Sequence, residues 1–254
     1  RIELDHPNRI IDIGCGPGNS TKVLKQRWPD ATVIGIDKSE EMIQKAQSQD
    51  PSGVWCLVDV RELDPHYRAS GKKESASGNK LTFEEMSRED RFDLVYSNAV
   101  IQWIPDHETL IGRLFSLVAE GGALAVQVPL YDGMPIRRVI SDVASKSEHS
   151  SRFEEIKTIF TFHDAGFYYD LLSDLSSRLS MWRTDYIHEM ESHQTIVEMI
   201  RSTGLRPYLE RIDSDDSRKA FLDQVLDGVR DAYPLQKNGR VLFPFNRLFF
   251  IAYR

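Results

Sequence analysis

The sequence RIIDIGCGPGNST at residues 9–21 decides the fold of this chain. Its first five residues, Arg9–Ile13, are mostly β-branched and apolar, which predicts a buried strand. The glycines that follow predict a tight turn, because glycine adopts backbone angles that other residues avoid and lets a ligand approach the chain closely. Asn19 or Ser20 is predicted to cap the next helix, which ends before Pro29.

Strands and helices alternate beyond this motif. A helix capped by Ser39 and a helix over His107–Ala119 are predicted, and the further strands are Thr32–Ile36, Val54–Val58, Phe92–Tyr96, Ala123–Val128, Arg178–Met190 and Asn246–Tyr253. This order predicts an α/β protein with a Rossmann-like, doubly wound, mostly parallel seven-stranded sheet. We expect one domain over residues 1–254, a flexible surface loop at 67–91 and a helical cap insertion at 131–174.

The glycine turn favours a nucleoside ligand without phosphates. Its spacing is G-x-G-x-G rather than the G-x-G-x-x-G of dinucleotide sites, and Pro17 lacks the amide that a pyrophosphate would bind. Acidic residues close three successive strands at Asp12, Asp37 and Asp59. Asp37 is placed to accept both ribose hydroxyls, and Asp59 to meet an adenine amino group. The three acids together suit a cationic sulfonium compound that carries an adenosine.

Composition excludes several other classes. The net charge of −7 argues against non-specific nucleic-acid binding, and no apolar run is long enough to span a bilayer. The two cysteines, Cys15 and Cys56, form neither a CxxC zinc motif nor a disulfide framework. We therefore expect a cytoplasmic protein without a metal site, a nucleic-acid partner or a membrane partner. The oligomeric state is left open, with a monomer favoured.

Several segments resemble the class I methyltransferases and, within them, the trans-aconitate 2-methyltransferase family. They are DIGCGPGNST at 12–21, GIDKS at 35–39, SNA at 97–99, QWIPDH at 102–107, LAVQVP at 124–129, WRTDY at 182–186 with His188, and TGLRP at 203–207. The glycine motif is common to the whole superfamily. The Gln-Trp pair and the C-terminal segments are specific to a much smaller group of sequences, so they carry the resemblance to the family.

The resemblance implies S-adenosylmethionine as cofactor and a single methyltransferase domain. The predicted cofactor-binding residues are Asp12, Gly14, Gly16, Gly18, Asn19, Asp37, Lys38, Met42, Asp59, Val60 and Asn98. The implied reaction transfers the methyl group to a carboxylate of trans-aconitate and gives a monomethyl ester. A carboxylate is already ionised at neutral pH, so we predict no catalytic base, only residues that position the substrate.

A small polycarboxylate partner calls for several cationic or hydrogen-bonding side chains, among which arginine matches a carboxylate best. The predicted substrate residues are Gln102, Trp103, Tyr169, Arg183, Tyr186, His188, Arg206 and Arg247, and Tyr168 and Arg240 are considered with them. Two alternatives stay open: methylation of another small carboxylic acid, and a non-catalytic protein that binds S-adenosylmethionine. A NAD-dependent dehydrogenase is disfavoured by the glycine spacing and by Pro17.

Overall fold

The structure, a computed structural model, describes residues 1–63, 91–131, 133–158 and 160–254. Apart from Arg91, the predicted loop at 67–91 lies outside the described residues. Contacts divide the chain into two compact units. The first unit comprises Arg1–Val128, His163–Trp182 and Leu248–Arg254, and the second comprises Pro129–Phe162 and Arg183–Arg247. The expectation of one domain stays a prediction.

Among the described residues the strands are β1 Arg9–Ile13, β2 Thr32–Asp37, β3 Val54–Leu57, β4 Phe92–Asn98, β5 Val118–Pro129, β6 Arg178–Met190 and β7 Val241–Tyr253. These seven form one sheet in the order β3-β2-β1-β4-β5-β7-β6. The pairings of β1 with β2 and β4, of β2 with β3 and of β4 with β5 are all parallel. Near the start of β5, Gly121 and Gly122 exchange backbone hydrogen bonds with Arg254, just past the end of β7, so β7 runs antiparallel to β5. The predicted fold class is confirmed.

The helices of the described residues alternate with the strands in the first half of the chain. They are α1 Asn19–Arg27, α2 Glu40–Gln49, α3 His107–Ser116, α4 Pro135–Lys146, α5 Ala165–Ser173, α6 His193–Arg201, α7 Arg206–Leu209 and α8 Asp215–Ala232. Three 3₁₀ segments add to them: Val60–Glu62, Ile101–Trp103 and Ser150–Thr158. Among the helices of the described ranges, none is both long and apolar enough to cross a membrane.

Several boundaries differ from the predictions, and the largest differences are the starts of β5 and β7, which lie at Val118 and Val241 instead of Ala123 and Asn246. Helix α3 ends at Ser116, and Val118 already belongs to β5, because the strand begins before the Gly121–Gly122 pair rather than after it. The cap of α1 is Gly18 in the left-handed conformation, not Asn19 or Ser20. The Ser39 cap is confirmed, since its hydroxyl accepts the amide of Met42.

The parallel strands supply the core of the first unit. Four of the five residues of β1 are buried, and Ile10, Ile11 and Ile13 have no exposed surface. Such continuous burial is typical of a strand that is covered on both faces. Burying each of these side chains contributes roughly 1.5–3 kcal/mol, so the core holds the end of β1 firmly in place.

The second unit has its own hydrophobic core. Helices α4 and α8 contact each other extensively, and α6 also packs on α8. Val225 and Val229 of α8 and Ile196 of α6 are completely buried. The expected cap insertion at 131–174 contains α4, a 3₁₀ segment and α5, of which α4 belongs to the second unit and α5 to the first.

Candidate functional site

The glycine turn lies at the carboxyl end of β1. Gly14, Gly16 and Gly18 all have positive φ angles, of 65°, 56° and 92°. A Cβ atom added to Gly16 would meet nothing within 4 Å. Gly16 is therefore the position of the turn at which a ligand can approach the backbone directly.

The other two glycines are required by packing. A Cβ on Gly14 would come within 2.5 Å of the Val100 side chain, and a Cβ on Gly18 would lie 2.7 Å from the ring of Trp55. Val100 belongs to the loop after β4, and Trp55 belongs to β3. The side chains of Trp55 on β3 and Val100 in the loop after β4 thus hold the turn in shape, a contribution that the sequence analysis did not identify.

Asp37 links two strand ends. Its Oδ2 accepts the amide of Gly16 at 3.0 Å, and its Oδ1 accepts the amide of Ser39 at 2.8 Å. The residue is half-buried, so part of its surface remains open beside the turn. Each carboxylate oxygen can accept more than one hydrogen bond, which leaves Asp37 able to accept from a ligand as well.

Asp12 lies beneath the turn with no exposed surface. Its Oδ2 accepts the hydroxyls of Ser20 at 2.7 Å and Thr21 at 2.6 Å, and its Oδ1 is buried without a hydrogen-bond partner among the described residues. Burial raises the pKa of Asp12 to about 6, the two hydroxyls lower it, and the charge of Asp37 raises it slightly. In this conformation Asp12 supports the turn through α1. The sequence signal for its partners is the pair of small hydroxyl residues directly after the glycines.

Asp59 is engaged by a residue that the sequence analysis missed. Its carboxylate accepts the backbone amide of Arg61 and both the Nε and Nη2 atoms of the Arg61 guanidinium. This contact holds the pKa of Asp59 below its usual value. Asp59 thereby caps the 3₁₀ segment that begins at the buried Val60. The assignment of Asp59 to an adenine amino group stays a prediction.

The remaining predicted cofactor residues also follow strands of the parallel sheet. Asn19 opens α1, Lys38 follows β2, Met42 lies in the first turn of α2, and Asn98 ends β4. Asn19, Lys38 and Asn98 are exposed, and Met42 is half-buried. Because carboxyl ends of parallel strands meet at one edge of a sheet, these residues share the edge at which open α/β sheets bind ligands.

The loop after β4 has an unusual backbone. Ala99 has a φ of 58°, a left-handed conformation that residues other than glycine rarely adopt. Gln102 is buried, and its Nε2 donates to the Ala99 carbonyl at 2.8 Å. Gln102 therefore stabilises its own loop, while Trp103 beside it is half-buried and Tyr169 on α5 is 55% exposed.

In the second unit, Arg247 lies against aromatic rings. Its guanidinium carbon is 4.7 Å from the ring centroid of Phe245 and 5.7 Å from that of Tyr186. The ring of His188 lies 6.4 Å from Tyr186 and 6.3 Å from Phe245. Burial lowers the pKa of Arg247, which nonetheless stays charged at neutral pH. Three predicted substrate residues thus meet in one cluster, together with Phe245, which the sequence analysis missed.

The other cationic candidates of the second unit do not show this arrangement. Arg183 is exposed and is the first residue of the unit's second segment, Arg183–Arg247. Arg206 lies 3.7 Å from Glu210, one helical turn away. Arg240 lies 3.6 Å from both Glu189 and Glu191. Ion pairs as exposed as these contribute little to stability, so their arginines can exchange partners readily.

Tyr168 is excluded from direct ligand contact in this conformation. The side chain has no exposed surface, and its hydroxyl lies 2.7 Å from Nδ1 of His107. Of the two adjacent tyrosines considered as substrate residues, only Tyr169 is accessible. In the ranges that the structure describes, no group of three or more His, Cys, Asp or Glu side chains is arranged to hold a metal ion.

The sequence matches known methyltransferases. A family model described as a methyltransferase domain matches residues 2–206. The trans-aconitate 2-methyltransferase of Azoarcus sp. (strain BH72) is 37% identical over 254 residues, which cover 100% of this chain and 90% of the relative. The enzyme of the same name from Enterobacter sp. (strain 638) is 35% identical over 100% of this chain and 89% of its own length.

Solved structures agree on the fold. The YcgJ protein of Bacillus subtilis superposes with a TM-score of 0.57 at 12% identity, and the match covers 100% of this chain and 94% of that one. A putative methyltransferase from Bacillus halodurans C-125 gives a TM-score of 0.55 at 10% identity, with 99% and 94% covered. At these identities the likeness concerns the fold alone.

Proposed function

Because this chain belongs to the methyltransferase domain family, and within it to the trans-aconitate 2-methyltransferases, we propose that it transfers a methyl group from S-adenosylmethionine to a carboxylate of trans-aconitate. The observation that carries this proposal is the 37% identity to a trans-aconitate 2-methyltransferase along the whole chain. The aligned region covers both units, so it extends beyond the glycine turn that methyltransferases of many substrates share.

The turn after β1 fits S-adenosylmethionine. Gly16 faces open space, so the cofactor can approach the backbone there. Asp37 lies 3.0 Å from the Gly16 amide and has acceptor capacity left for the two ribose hydroxyls. Pro17 removes a donor that a phosphate would use, which matches a cofactor that has no phosphate. Asn19, Lys38, Met42 and Asn98, at the same edge of the sheet, are proposed to complete the pocket.

When bound, the cofactor supplies an electrophilic methyl group, whose bond to sulfur breaks with its electron pair left on sulfur as the carboxylate oxygen forms the ester bond. The attacking carboxylate is ionised at neutral pH, so the protein has no proton to remove. Its residues contribute by holding the carboxylate in line and by keeping water out. We therefore assign no general base to the site.

Substrate charge requires cationic partners in the protein. Arg247 is proposed as the main carboxylate partner, because its guanidinium is half-buried and pre-oriented on the ring of Phe245. A planar fork held in one orientation loses less freedom when it binds a carboxylate in two-point fashion. Tyr186 and His188 are proposed to contribute hydrogen bonds from the same cluster, and Arg183 and Arg206 to contribute charge.

The direct test is transfer of a labelled methyl group from S-adenosylmethionine to trans-aconitate, cis-aconitate, citrate and isopropylmalate in parallel reactions. We expect trans-aconitate to be labelled most efficiently, with a product that alkaline hydrolysis converts back to the acid, as for an ester. Cofactor binding without labelling of any of these acids would contradict the proposal. Preferential labelling of another acid would support carboxyl methylation and contradict trans-aconitate as the substrate.

A further inference from the structure

A buried hydrogen-bonded pair lies behind the loop that follows β4. His107, the first residue of α3, has 1% of its surface exposed, and Tyr168 of α5 has none. The Nδ1 atom of His107 lies 2.7 Å from the Tyr168 hydroxyl, and its Nε2 atom lies 2.8 Å from the carbonyl oxygen of Ile101. Both residues belong to the first unit.

The partners fix the tautomer of His107. A carbonyl oxygen can only accept a hydrogen bond, so Nε2 must carry the ring proton and donate it to Ile101. Nδ1 is then the acceptor, and the Tyr168 hydroxyl donates to it. Burial lowers the pKa of His107 below its ordinary value, although the hydrogen bond to Ile101 raises it in part, and the nearby His163 lowers it further, so the ring is neutral at neutral pH. The bonds therefore run in one direction, from Tyr168 through His107 to Ile101.

The end of this chain of bonds is the turn that presents Gln102 and Trp103. The Ile101 carbonyl also accepts the amide of Ile104 at 2.9 Å, so it is engaged from both sides. The loop contains two non-glycine residues with positive φ, Ala99 at 58° and Asp106 at 57°. Left-handed backbone costs each such residue roughly 1–2 kcal/mol, and it persists only where surrounding contacts oppose its relaxation.

Tyr168 is itself firmly anchored. Its ring stacks on Phe250 of β7 with 5.0 Å between centroids, and Phe167 contacts it edge to face at 5.4 Å. The hydroxyl is thus presented to His107 from a fixed position. These contacts link the loop after β4 to the buried Phe250 of β7.

We propose that His107 and Tyr168 are positioning residues that hold the Gln102–Trp103 turn in the conformation required for methyl transfer. The proposal rests on the proposed function and on the prediction that Gln102 and Trp103 contact the substrate. Neither residue contacts the reacting atoms, because both are buried. Their effect is on the shape of the turn and should therefore appear in the rate of the bound complex more than in cofactor affinity.

The test compares two tyrosine hydroxyls of similar burial. Tyr168→Phe keeps the stack on Phe250 and removes the donor to His107. Tyr233→Phe is the matched control, because that buried hydroxyl accepts the Ile136 amide at 2.9 Å in the core of the second unit. We expect Tyr168→Phe to lower kcat by about tenfold, the effect of roughly one neutral hydrogen bond, with the Kd for S-adenosylmethionine changed less than twofold. Tyr233→Phe should retain wild-type kcat at a similar loss of stability.

A second pair of variants tests the two hydrogen bonds of the His107 imidazole one at a time. In His107→Gln the side-chain amide reaches the position of Nε2 and can still donate to Ile101, whereas in His107→Asn it reaches only the position of Nδ1. His107→Gln should therefore retain more of kcat than His107→Asn. The reverse order, or equal kcat losses in Tyr168→Phe and Tyr233→Phe, would overturn the positioning role.

Hydrogen exchange over residues 98–106 supplies a readout that does not depend on turnover. Tyr168→Phe should accelerate exchange in this segment, and Tyr233→Phe should leave it unchanged. If the wild-type protein binds cofactor but methylates none of the acids, the proposed function fails while the exchange data still decide whether the pair holds the turn. Unchanged exchange in Tyr168→Phe would refute the proposal even in an active enzyme.

Discussion

Asp37 and Gly16 are joined by a hydrogen bond of 3.0 Å from the glycine amide to the carboxylate, which ties the end of β2 to the turn after β1. The other carboxylate oxygen accepts the Ser39 amide at 2.8 Å. One side chain therefore fixes the turn and the start of the next helix. It also faces the open space beside Gly16, in which we propose that the ribose binds.

Replacing Asp37 should weaken cofactor binding more than it weakens the fold. In Asp37→Asn the charge is lost and one of the two backbone amides loses its acceptor. Hydrogen bonds to charged groups contribute about 1.5–3 kcal/mol, so we expect the Kd for S-adenosylmethionine to rise by about 10- to 100-fold. Titration calorimetry measures this directly.

Asp93→Asn is the control for this substitution. Asp93 also accepts two backbone amides, those of Asn8 at 2.7 Å and Arg9 at 2.9 Å, but at the amino end of β1. It should lower stability without changing the Kd. An Asp37→Asn variant that binds the cofactor as well as Asp93→Asn does would show that Asp37 only shapes the turn.

Asp12 gives the fold a pH dependence of known sign. Its pKa in the folded protein, about 6, lies above the ordinary aspartate value of 3.8. The folded state therefore binds the proton first, and the contribution of Asp12 to stability is favourable at acid pH and is lost as the pH rises from 4 towards 7. The shift corresponds to about 3 kcal/mol.

Asp12→Asn removes this titration while its amide oxygen can still accept from Ser20 and Thr21. Urea unfolding at a series of pH values should show that the free energy of unfolding of the wild type, relative to Asp12→Asn, falls by up to about 3 kcal/mol between pH 4 and pH 7. Other groups titrate in both proteins and cancel in the difference. Parallel stability profiles would mean that the Asp12 pKa is not raised.

The sequence predicted the path of the chain well where local signals and burial agree. Arg9–Ile13 is a strand in the prediction and in the structure, because its apolar residues are buried on both faces of the sheet. The start of β5 was predicted too late, because Val118 and Ala119 continue the helical pattern, but Val118 pairs with Phe92 of β4 in the sheet. Tertiary pairing overrides the local preference at such a boundary.

The contacts that support the site could not be predicted from the sequence. Nothing in the glycine spacing shows that Gly14 faces Val100, which lies far along the chain. The Tyr168 hydroxyl was considered for substrate contact, yet it faces His107. Residue type suggests chemistry, but partners that are distant in the sequence are fixed only by folding.

The Gly14–Val100 contact predicts a rescue experiment. Gly14→Ala places a methyl group 2.5 Å from the Val100 side chain, so the loop after β4 must move. We expect a loss of stability and of methyl transfer. Adding Val100→Ala removes the two closest methyl groups and leaves the Cβ of residue 100 at 3.0 Å, so it should restore part of the activity. The residual cost then comes from this close contact and from the positive φ, which costs about 1 kcal/mol.

Gly16→Ala tests whether this glycine is needed for the approach of the cofactor rather than for packing within the protein. Its Cβ meets no protein atom, so the loss of stability should come from backbone strain alone, while the methyl group occupies the space assigned to the cofactor. We expect cofactor binding to be lost, and Val100→Ala to give no rescue here. Rescue of both glycine variants by Val100→Ala would show that loop packing, rather than cofactor approach, limits the turn.

Arg247 should determine the affinity for the substrate. Removing a guanidinium that binds a carboxylate costs about 1.5–3 kcal/mol, so Arg247→Ala is expected to raise the KM for trans-aconitate by about 10- to 100-fold. Arg247→Lys keeps the charge but loses the planar fork and the contact with the Phe245 ring, so it should recover only part of the affinity. The Kd for S-adenosylmethionine should stay at the wild-type value in both.

Arg230→Ala is the matched control for Arg247→Ala. Arg230 also belongs to the second unit, but it pairs with Asp227 on the exposed surface of α8, and exposed pairs contribute about 0–1 kcal/mol. Its KM should equal that of the wild type, and its stability should change little. If Arg247→Ala and Arg230→Ala give the same KM, the aromatic cluster around Arg247 does not bind the carboxylates, and Arg183 and Arg206 become the next arginines to replace.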